Sequence, residues 1–279
     1  MRKSFSVVAM IAIVGVLATT FALPIDAQSS SGIGRLYILN CGEGVAGDIS
    51  RWSPGVNVGM PMEFVDNCYL IRHTQGWLLW DTGVTDAIAA MPDGQRPIDP
   101  RAIHWKRPKT LVSQLSELGV SPSNIKFVAV SHGHPDHIGN INLFAQSTLL
   151  VQKAEYESPT PFGQALRAGT SSVKKLEGDY DVFGDGSVTI VATPGHTPGH
   201  QSLLVKLPRT GAVLLSGDAV HFKSNWENRG LPTINFNGDL TASSMQHMAE
   251  IMVKENAQLW INHDKAQRDS LKLSPSFYD

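Results

Sequence analysis

The chain has 279 residues, 42% hydrophobic and 17% charged, with 23 Lys and Arg against 25 Asp and Glu for a net charge of −2. That balance describes a soluble globular protein of one large or two small domains. A basic excess and an interleaved aromatic and arginine stretch are both missing, which argues against nucleic acid as a partner.

Arg2 and Lys3 precede an uncharged run over residues 4–24, with small-residue sites at Thr20-Phe21-Ala22 or Ala27. Residues 1–27 therefore read as a signal peptide with its cleavage region. An uncleaved anchor is the alternative, since the apolar part is just long enough to span a bilayer. Cleavage would leave a periplasmic or secreted protein with no stable membrane association. Residues 28–34, rich in Ser and Gly, read as a flexible leader, and residues 35–279 as the folded domain.

Residues 35–39, 68–72 and 77–80 read as strands, the third ending at Asp81-Thr82-Gly83. Between the first two, residues 42–65 are rich in Gly and Pro and carry Trp52, Met60, Met62 and Phe64. Such a segment is expected to be irregular, its apolar side chains forming either a cleft wall or packing that pins the loop. Residues 91–108 form a second expected loop with four prolines, where His104 and Trp105 serve packing or the surface. Leu111, Leu115 and Leu118 have helical spacing, and Gly119 supplies a stop. Further on, residues 138–144 and 153–157 read as short helices, 148–152 as a strand, and 158–172 as a connection. Residues 201–206 and 212–216 are strands, and 241–256 an amphipathic helix with Met245, Met248, Ile251 and Met252 inward and His247 on the surface.

The apolar run Ile125-Lys126-Phe127-Val128-Ala129-Val130 leads into Ser131-His132-Gly133-His134-Pro135-Asp136-His137. Three imidazoles and a carboxylate in six residues, without a thiolate, suit zinc, with manganese, iron or cobalt as alternatives. Three later strands also end on candidate ligands. Val188-Thr189-Ile190-Val191-Ala192 precedes His196 and His200, Ala212-Val213-Leu214-Leu215-Ser216 precedes Asp218, and Gln258-Leu259-Trp260-Ile261 precedes His263. Strand C-termini of layered α/β folds are where sites collect. His73 and His104 have no such spacing. Cys41 and Cys68 lie outside any metal-ligand spacing. A disulfide between them is open, and the reading adopted is two buried free thiols.

The H-x-H-x-D-H stretch, the later His, the Asp and the final His together resemble the metallo-β-lactamase superfamily. Thr193-Pro194-Gly195-His196-Thr197-Pro198-Gly199-His200-Gln201-Ser202 and His263-Asp264-Lys265-Ala266-Gln267 look like segments of its N-acyl-homoserine lactone lactonases. Asn67-Cys68-Tyr69-Leu70-Ile71 and Asp81-Thr82-Gly83 fit that branch as well. The resemblance implies an α/β fold in which two facing sheets with outer helices form an αβ/βα sandwich. It further implies two zinc ions per chain, or other divalent transition metals. His132, His134 and His196 would hold one, Asp136, His137 and His263 the other, and Asp218 would bridge them. Asp81 would support the metal loop without touching the metal, and His200 would do so too.

The implied activity is a quorum-quenching hydrolase that opens the lactone ring of N-acyl-homoserine lactones with a metal-bridging hydroxide. Asp136 and His221 are the candidate catalytic side chains. At His221 the sequence departs from the family, whose lactonases carry a tyrosine there. The histidine either donates to the substrate or passes a proton to the leaving oxygen, or else it packs against Phe222 and Trp226. An exported β-lactam hydrolase, a glyoxalase II-like thioester hydrolase and a non-catalytic zinc-binding protein are the alternatives. The sequence leaves acyl-chain preference and oligomeric state open.

Overall fold

The computed structural model describes Met1, Ser4, residues 32–168 and residues 172–279. The chain divides into Met1–Ser30 and Ser31–Asp279, and everything below concerns the second unit. The expected signal peptide lies outside the described residues, as does the leader up to Ser31.

Seven strands form the first sheet: β1 (Ile33–Ala46), β2 (Met62–His73), β3 (Gly76–Trp80), β4 (Ile103–Lys106), β5 (Ile125–Ala129), β6 (Thr148–Gln152) and β7 (Ser172–Leu176). Their spatial order is β4-β1-β2-β3-β5-β6-β7. The second sheet contains β8 (Tyr180–Asp181), β9 (Val188–Ala192), β10 (Gln201–Leu207), β11 (Gly211–Leu215) and β12 (Gln258–Trp260), in the order β12-β11-β10-β9-β8.

Successive side chains on a strand face opposite sides, and here both sides are dry. Ile38, Ile71 and Leu78 on the first sheet meet Ile190, Leu203, Val205 and Leu215 on the second, making the core between the sheets. Their neighbours Leu39, Leu70 and Leu79 point the other way, toward Leu111 and Leu115 of helix α1 (Leu111–Glu117). On the far side of the second sheet, Leu204 and Leu214 meet Met245 and Met248. Strands buried on both faces read as unbroken apolar runs rather than alternating ones. The result is the expected helix, sheet, sheet, helix sandwich.

The remaining helices are α2 (Pro135–Ile138), α3 (Lys153–Tyr156), α4 (Pro161–Ala168), α5 (Lys223–Asn228), α6 (Gly238–Glu255) and α7 (Lys265–Asp269). Thr110 caps α1 by accepting from Ser113 N at 3.1 Å, and Gly119 follows with φ +70° as the stop. Asn237 caps α6 by accepting from Leu240 N at 3.0 Å.

Several expectations are corrected. The first strand begins at Ile33, inside the stretch read as leader, where Thr74 N donates to Gly32 O at 2.8 Å. Residues 42–65 are not wholly irregular: β1 runs on to Ala46 and β2 starts at Met62, paired Ala46↔Met62, because a register shift between Asn40 and Gly42 lets the ladder continue through two glycines. Residues 91–108 contain β4, whose Trp105 pairs with Gly44. Residues 158–172 contain α4.

Cys41 and Cys68 form a disulfide, against the reading of two free thiols. Cys41 is the extra residue in that register shift, next after the pairs Leu39↔Cys68 and Asn40↔Asn67, and its Cα lies 5.7 Å from that of Cys68, inside the range a disulfide spans. Strand positions alone do not reveal a bulge of one residue, and so the sequence left the distance open.

Candidate metal centre

Strands β9 and β11 are both antiparallel to β10, and β12 is parallel to β11, so β9, β11 and β12 end on the same edge. The loop after β5 reaches that edge from the other sheet: Gln201 N donates to Ser131 O at 2.9 Å, and Gln201 Nε2 to Val130 O at 2.8 Å. The four strand ends chosen from sequence therefore converge.

All seven candidate ligands meet there, in two groups whose donor atoms lie within 4.8 Å of one another: His132, His134, His196 and Asp218, then Asp136, His137 and His263. Asp218 touches both. Its Oδ1 is 3.0 Å from His263 Nε2 and 3.3 Å from His137 Nε2, while its Oδ2 is 3.5 Å from His196 Nε2 and 3.7 Å from His132 Nε2. Asp136 approaches the second group at 3.9 Å from His137 Nε2 and 4.0 Å from His263 Nε2.

Four of the imidazoles are oriented from behind. His263 Nδ1 donates to the Val65 carbonyl at 2.7 Å, His137 Nδ1 is 3.0 Å from Asp81 Oδ2, His196 Nδ1 is 3.2 Å from Asn235 Oδ1, and His132 Nδ1 is 3.0 Å from Ser131 Oγ. With Nδ1 engaged, Nε2 of these four rings faces inward as a lone-pair donor, the arrangement that metal-ligating histidines use. His134 presents Nδ1 instead, 2.8 Å from His132 Nε2 and 3.1 Å from His196 Nε2. Asp81 has the supporting place expected of it: its Oδ1 accepts from Ser131 N at 2.6 Å, and its left-handed backbone, φ +56°, turns the chain directly after β3. His200 is also behind the site, its Nε2 accepting from Asp218 N at 2.9 Å.

The cluster is electrostatically unbalanced as it stands. Burial and neighbouring imidazoles hold His132 well below the usual histidine range, and burial does the same to His196. Burial would lower His263 too, yet Asp218 raises it to about 9. Asp218, which burial alone would raise, is held well below the usual carboxylate range by His263 and His137. His137 Nε2, Asp218 Oδ1 and both ring nitrogens of His221 are buried without a hydrogen bond. Buried donors and acceptors left open in this way call for a missing partner, and an imidazole and carboxylate set without thiolate fits a divalent cation of the zinc type.

The site opens into a cavity of about 410 Å³ lined by Arg51, Trp52, Ile103, Pro135, Phe162 and Ile234 above His134, Asp136, Asp218, His221 and His263. Pro135, Asp136 and Phe162 also border a larger apolar cavity of about 660 Å³ reaching Ile88, Trp105, Ile138, Ile141 and Ala165.

A signature of the metallo-beta-lactamase superfamily matches residues 62–250. The chain belongs to that superfamily. Within it, the chain is 32% identical over 266 residues to the N-acyl homoserine lactonase AttM of Azorhizobium caulinodans, covering 88% of this chain and 98% of the relative. It is 30% identical over 239 residues to the N-acyl homoserine lactonase AiiA of Bacillus thuringiensis subsp. kurstaki, covering 82% and 91%. Among metallo-beta-lactamase folds already solved, an N-acyl homoserine lactone hydrolase with N-hexanoyl-L-homoserine bound at its catalytic metal centre superposes with a TM-score of 0.78 at 28% identity, covering 88% of this chain and 99% of that one.

The structure separates the remaining candidates. His221 is 1% exposed and borders the site cavity, with Nε2 3.1 Å from Asp218 Oδ2, its ring stacked 5.6 Å from His263 and the Phe222 ring 6.5 Å away. His73 stacks on Phe183 at 3.8 Å, and His104 Nε2 is 2.6 Å from Asp93 O, both away from the cluster. Of the apolar residues on 42–65, Trp52 lines the site cavity, Phe64 packs behind it at 4.8 Å, and Met60 is 57% exposed. Sequence reasoning missed Asn235, Glu155 and Asp66, single polar residues on stretches with no motif. Burial opposite a ligand loop identifies Glu155 and Asp66, and the contact with His196 Nδ1 identifies the half-buried Asn235; neither is visible in a sequence.

Proposed function

We propose that this chain opens the lactone ring of N-acyl-homoserine lactones by metal-dependent hydrolysis, with two zinc ions held by His132, His134, His196, Asp136, His137 and His263 and shared by Asp218. The observation that carries the reading is the split of Asp218, one oxygen toward each histidine group, at the floor of a cavity whose walls are apolar apart from Arg51. When bound, such cations supply Lewis acidity toward a carbonyl and make water acidic enough to attack at neutral pH.

The chain's own groups complete the work. Asp136 stands at the cavity floor beside His263, where it completes the second group and borders both cavities. His221, within reach of Asp218 Oδ2, is the donor to the ring oxygen as the C–O bond breaks, or to the lactone carbonyl before it. Trp52, Phe162 and Ile234 cover the ring and thin the water around it. The products are an N-acyl-homoserine carboxylate and a proton, so acid release follows turnover.

Export is part of the proposal. It is supported by residues 1–27 and by the Cys41–Cys68 disulfide, a bond that persists in oxidising compartments. Fractionation and N-terminal sequencing test it: a start just after Ala22 or Ala27 is expected, and a full-length membrane-held chain would overturn it.

The experiment for the activity is to incubate the purified protein with several acyl-homoserine lactones and with a β-lactam, following acid release. Rapid opening of the lactones is expected. Fast β-lactam hydrolysis with inert lactones would replace this reading by the β-lactamase one.

A further inference from the structure

Glu155 lies in α3, directly after β6, and its side chain is buried. Its Oε1 accepts from Gly133 N at 2.8 Å, and its Oε2 accepts from Gly199 N at 3.0 Å. Gly133 separates His132 from His134, and Gly199 separates His196 from His200. One carboxylate on the first sheet thus holds the ligand loop of its own sheet and the ligand loop of the other.

The approach demands glycine at 199 and leaves little room for a side chain at 133. A Cβ on Gly199 would stand 2.3 Å from Glu155 N, and one on Gly133 would stand 3.2 Å from Glu155 Oε1 and 3.3 Å from Phe162 Cβ. Burying a carboxylate is costly unless its hydrogen bonds are satisfied, and here both oxygens are satisfied by the two loops. The other group is tied elsewhere, His137 to Asp81 and His263 to the Val65 carbonyl.

We propose that Glu155 is a positioning residue that sets the separation of His132 and His134 from His196, and with it the cation affinity of that group alone. The proposal rests on the reading of the cluster as a dinuclear metal site. A carboxamide in place of the carboxylate keeps size and one acceptor oxygen but turns an NH2 toward the second glycine N–H, where two donors repel.

The test uses full-length metal-stripped protein titrated with cobalt(II) against a competing chelator while the visible spectrum is recorded, for wild type, Glu155→Gln and Val205→Ala. Val205 is a core residue between the sheets and controls for general destabilisation. For Glu155→Gln, one of the two cobalt equivalents should weaken by about ten- to a hundredfold, the range for loss of an outer partner to a ligand. Its ligand-field bands should change, while the other equivalent keeps its affinity and Val205→Ala alters neither. Should Glu155→Gln not fold, Glu155→Asp, with the charge kept at shorter reach, carries the same readout. Two unchanged equivalents, or an equal loss of both, would overturn the proposal. A wild type that takes up no cobalt would sink the metal-site reading itself, which is a different result.

Discussion

Asp218 Oδ1 lies 3.0 Å from His263 Nε2, and His263 Nδ1 donates to the Val65 carbonyl at 2.7 Å. The imidazole that faces this carboxylate at one strand end is thereby held by a backbone oxygen of another sheet. Because the opposite oxygen, Oδ2, serves His132, His196 and His221, rotating this one carboxylate would disturb both groups at once.

Asp218→Asn should therefore affect both metals together. The amide offers one oxygen and one NH2, so one group faces a donor that cannot ligate. Wild-type protein should carry close to two metal ions per chain by elemental analysis, and the variant markedly less, with activity falling in parallel. A variant that keeps both ions and full activity would remove Asp218 from the bridge.

Acyl-chain preference should be set on the α4 side rather than by the 42–65 loop. The 660 Å³ cavity between Ile88, Ile138, Ile141 and Ala165 adjoins the site at Pro135 and Phe162, whereas Met60 faces solvent. A buried methylene contributes ~0.8 kcal/mol, close to fourfold in affinity. Ala165→Trp should fill that space and lower kcat/KM for a decanoyl substrate at least tenfold more than for a butanoyl one, with metal content unchanged. Equal losses for both would place the chain elsewhere.

How far the sequence carried is visible in these same residues. The strand ends at Ala129, Ala192, Leu215 and Trp260 were legible because apolar runs break abruptly on ligand-type residues, and a ligand at a strand end has its place fixed by the sheet. Glu155 and Asn235 were not legible, because each acts across the gap between chain-distant segments. Strand β4 and helix α4 were hidden in Pro- and Gly-containing stretches whose local signals favour loops, and pairing with Gly44 and burial of Leu166 outweighed those signals.

The disulfide predicts a stability effect separate from the metal. Cys41 and Cys68 are 27 residues apart, and closing a loop of that length stabilises by about 3.5 kcal/mol in the chain-entropy description. The Cys41→Ala, Cys68→Ala double variant should lose unfolding free energy of that order in urea denaturation of metal-free protein, with a lower midpoint. An unchanged midpoint would mean that the cross-link only follows the register that β1 and β2 already impose.

Burial pushes the Asp66 carboxyl up to about 7 against the pull of His137 and His263, while its oxygens accept from Val84 N and Asn262 Nδ2 at 3.1 Å each. The unfolded carboxyl titrates near 3.9. Between pH ~4 and ~7 the unfolded chain has released this proton and the folded chain keeps it, so the folded state binds more protons and stability falls as pH rises. Three pH units correspond to about 4 kcal/mol. Urea denaturation of chelator-treated protein from pH 4.5 to 7.5 should show that decline, and Asp66→Asn should flatten it. A difference between the two proteins that does not vary with pH would remove Asp66 as its source.

His221 carries the sharpest prediction for the chemistry. Its ring is buried, both nitrogens lack a hydrogen bond, and Nε2 is 3.1 Å from Asp218 Oδ2, so it can serve a substrate in the cavity while touching the bridge. Proton transfer by a placed side chain contributes about a hundred- to ten-thousandfold. A bound cation would share the stabilisation of the leaving oxygen, which sets the expected loss for His221→Ala lower, at about ten- to a thousandfold in kcat. Two metal ions should remain bound, since the seven other side chains are intact. His221→Tyr should recover part of the loss, because a phenol also donates. If His221→Ala instead sheds metal along with activity, the ring acts by packing on His263 and holding Asp218. If kcat and metal content are both unchanged, the leaving oxygen depends on the metals alone.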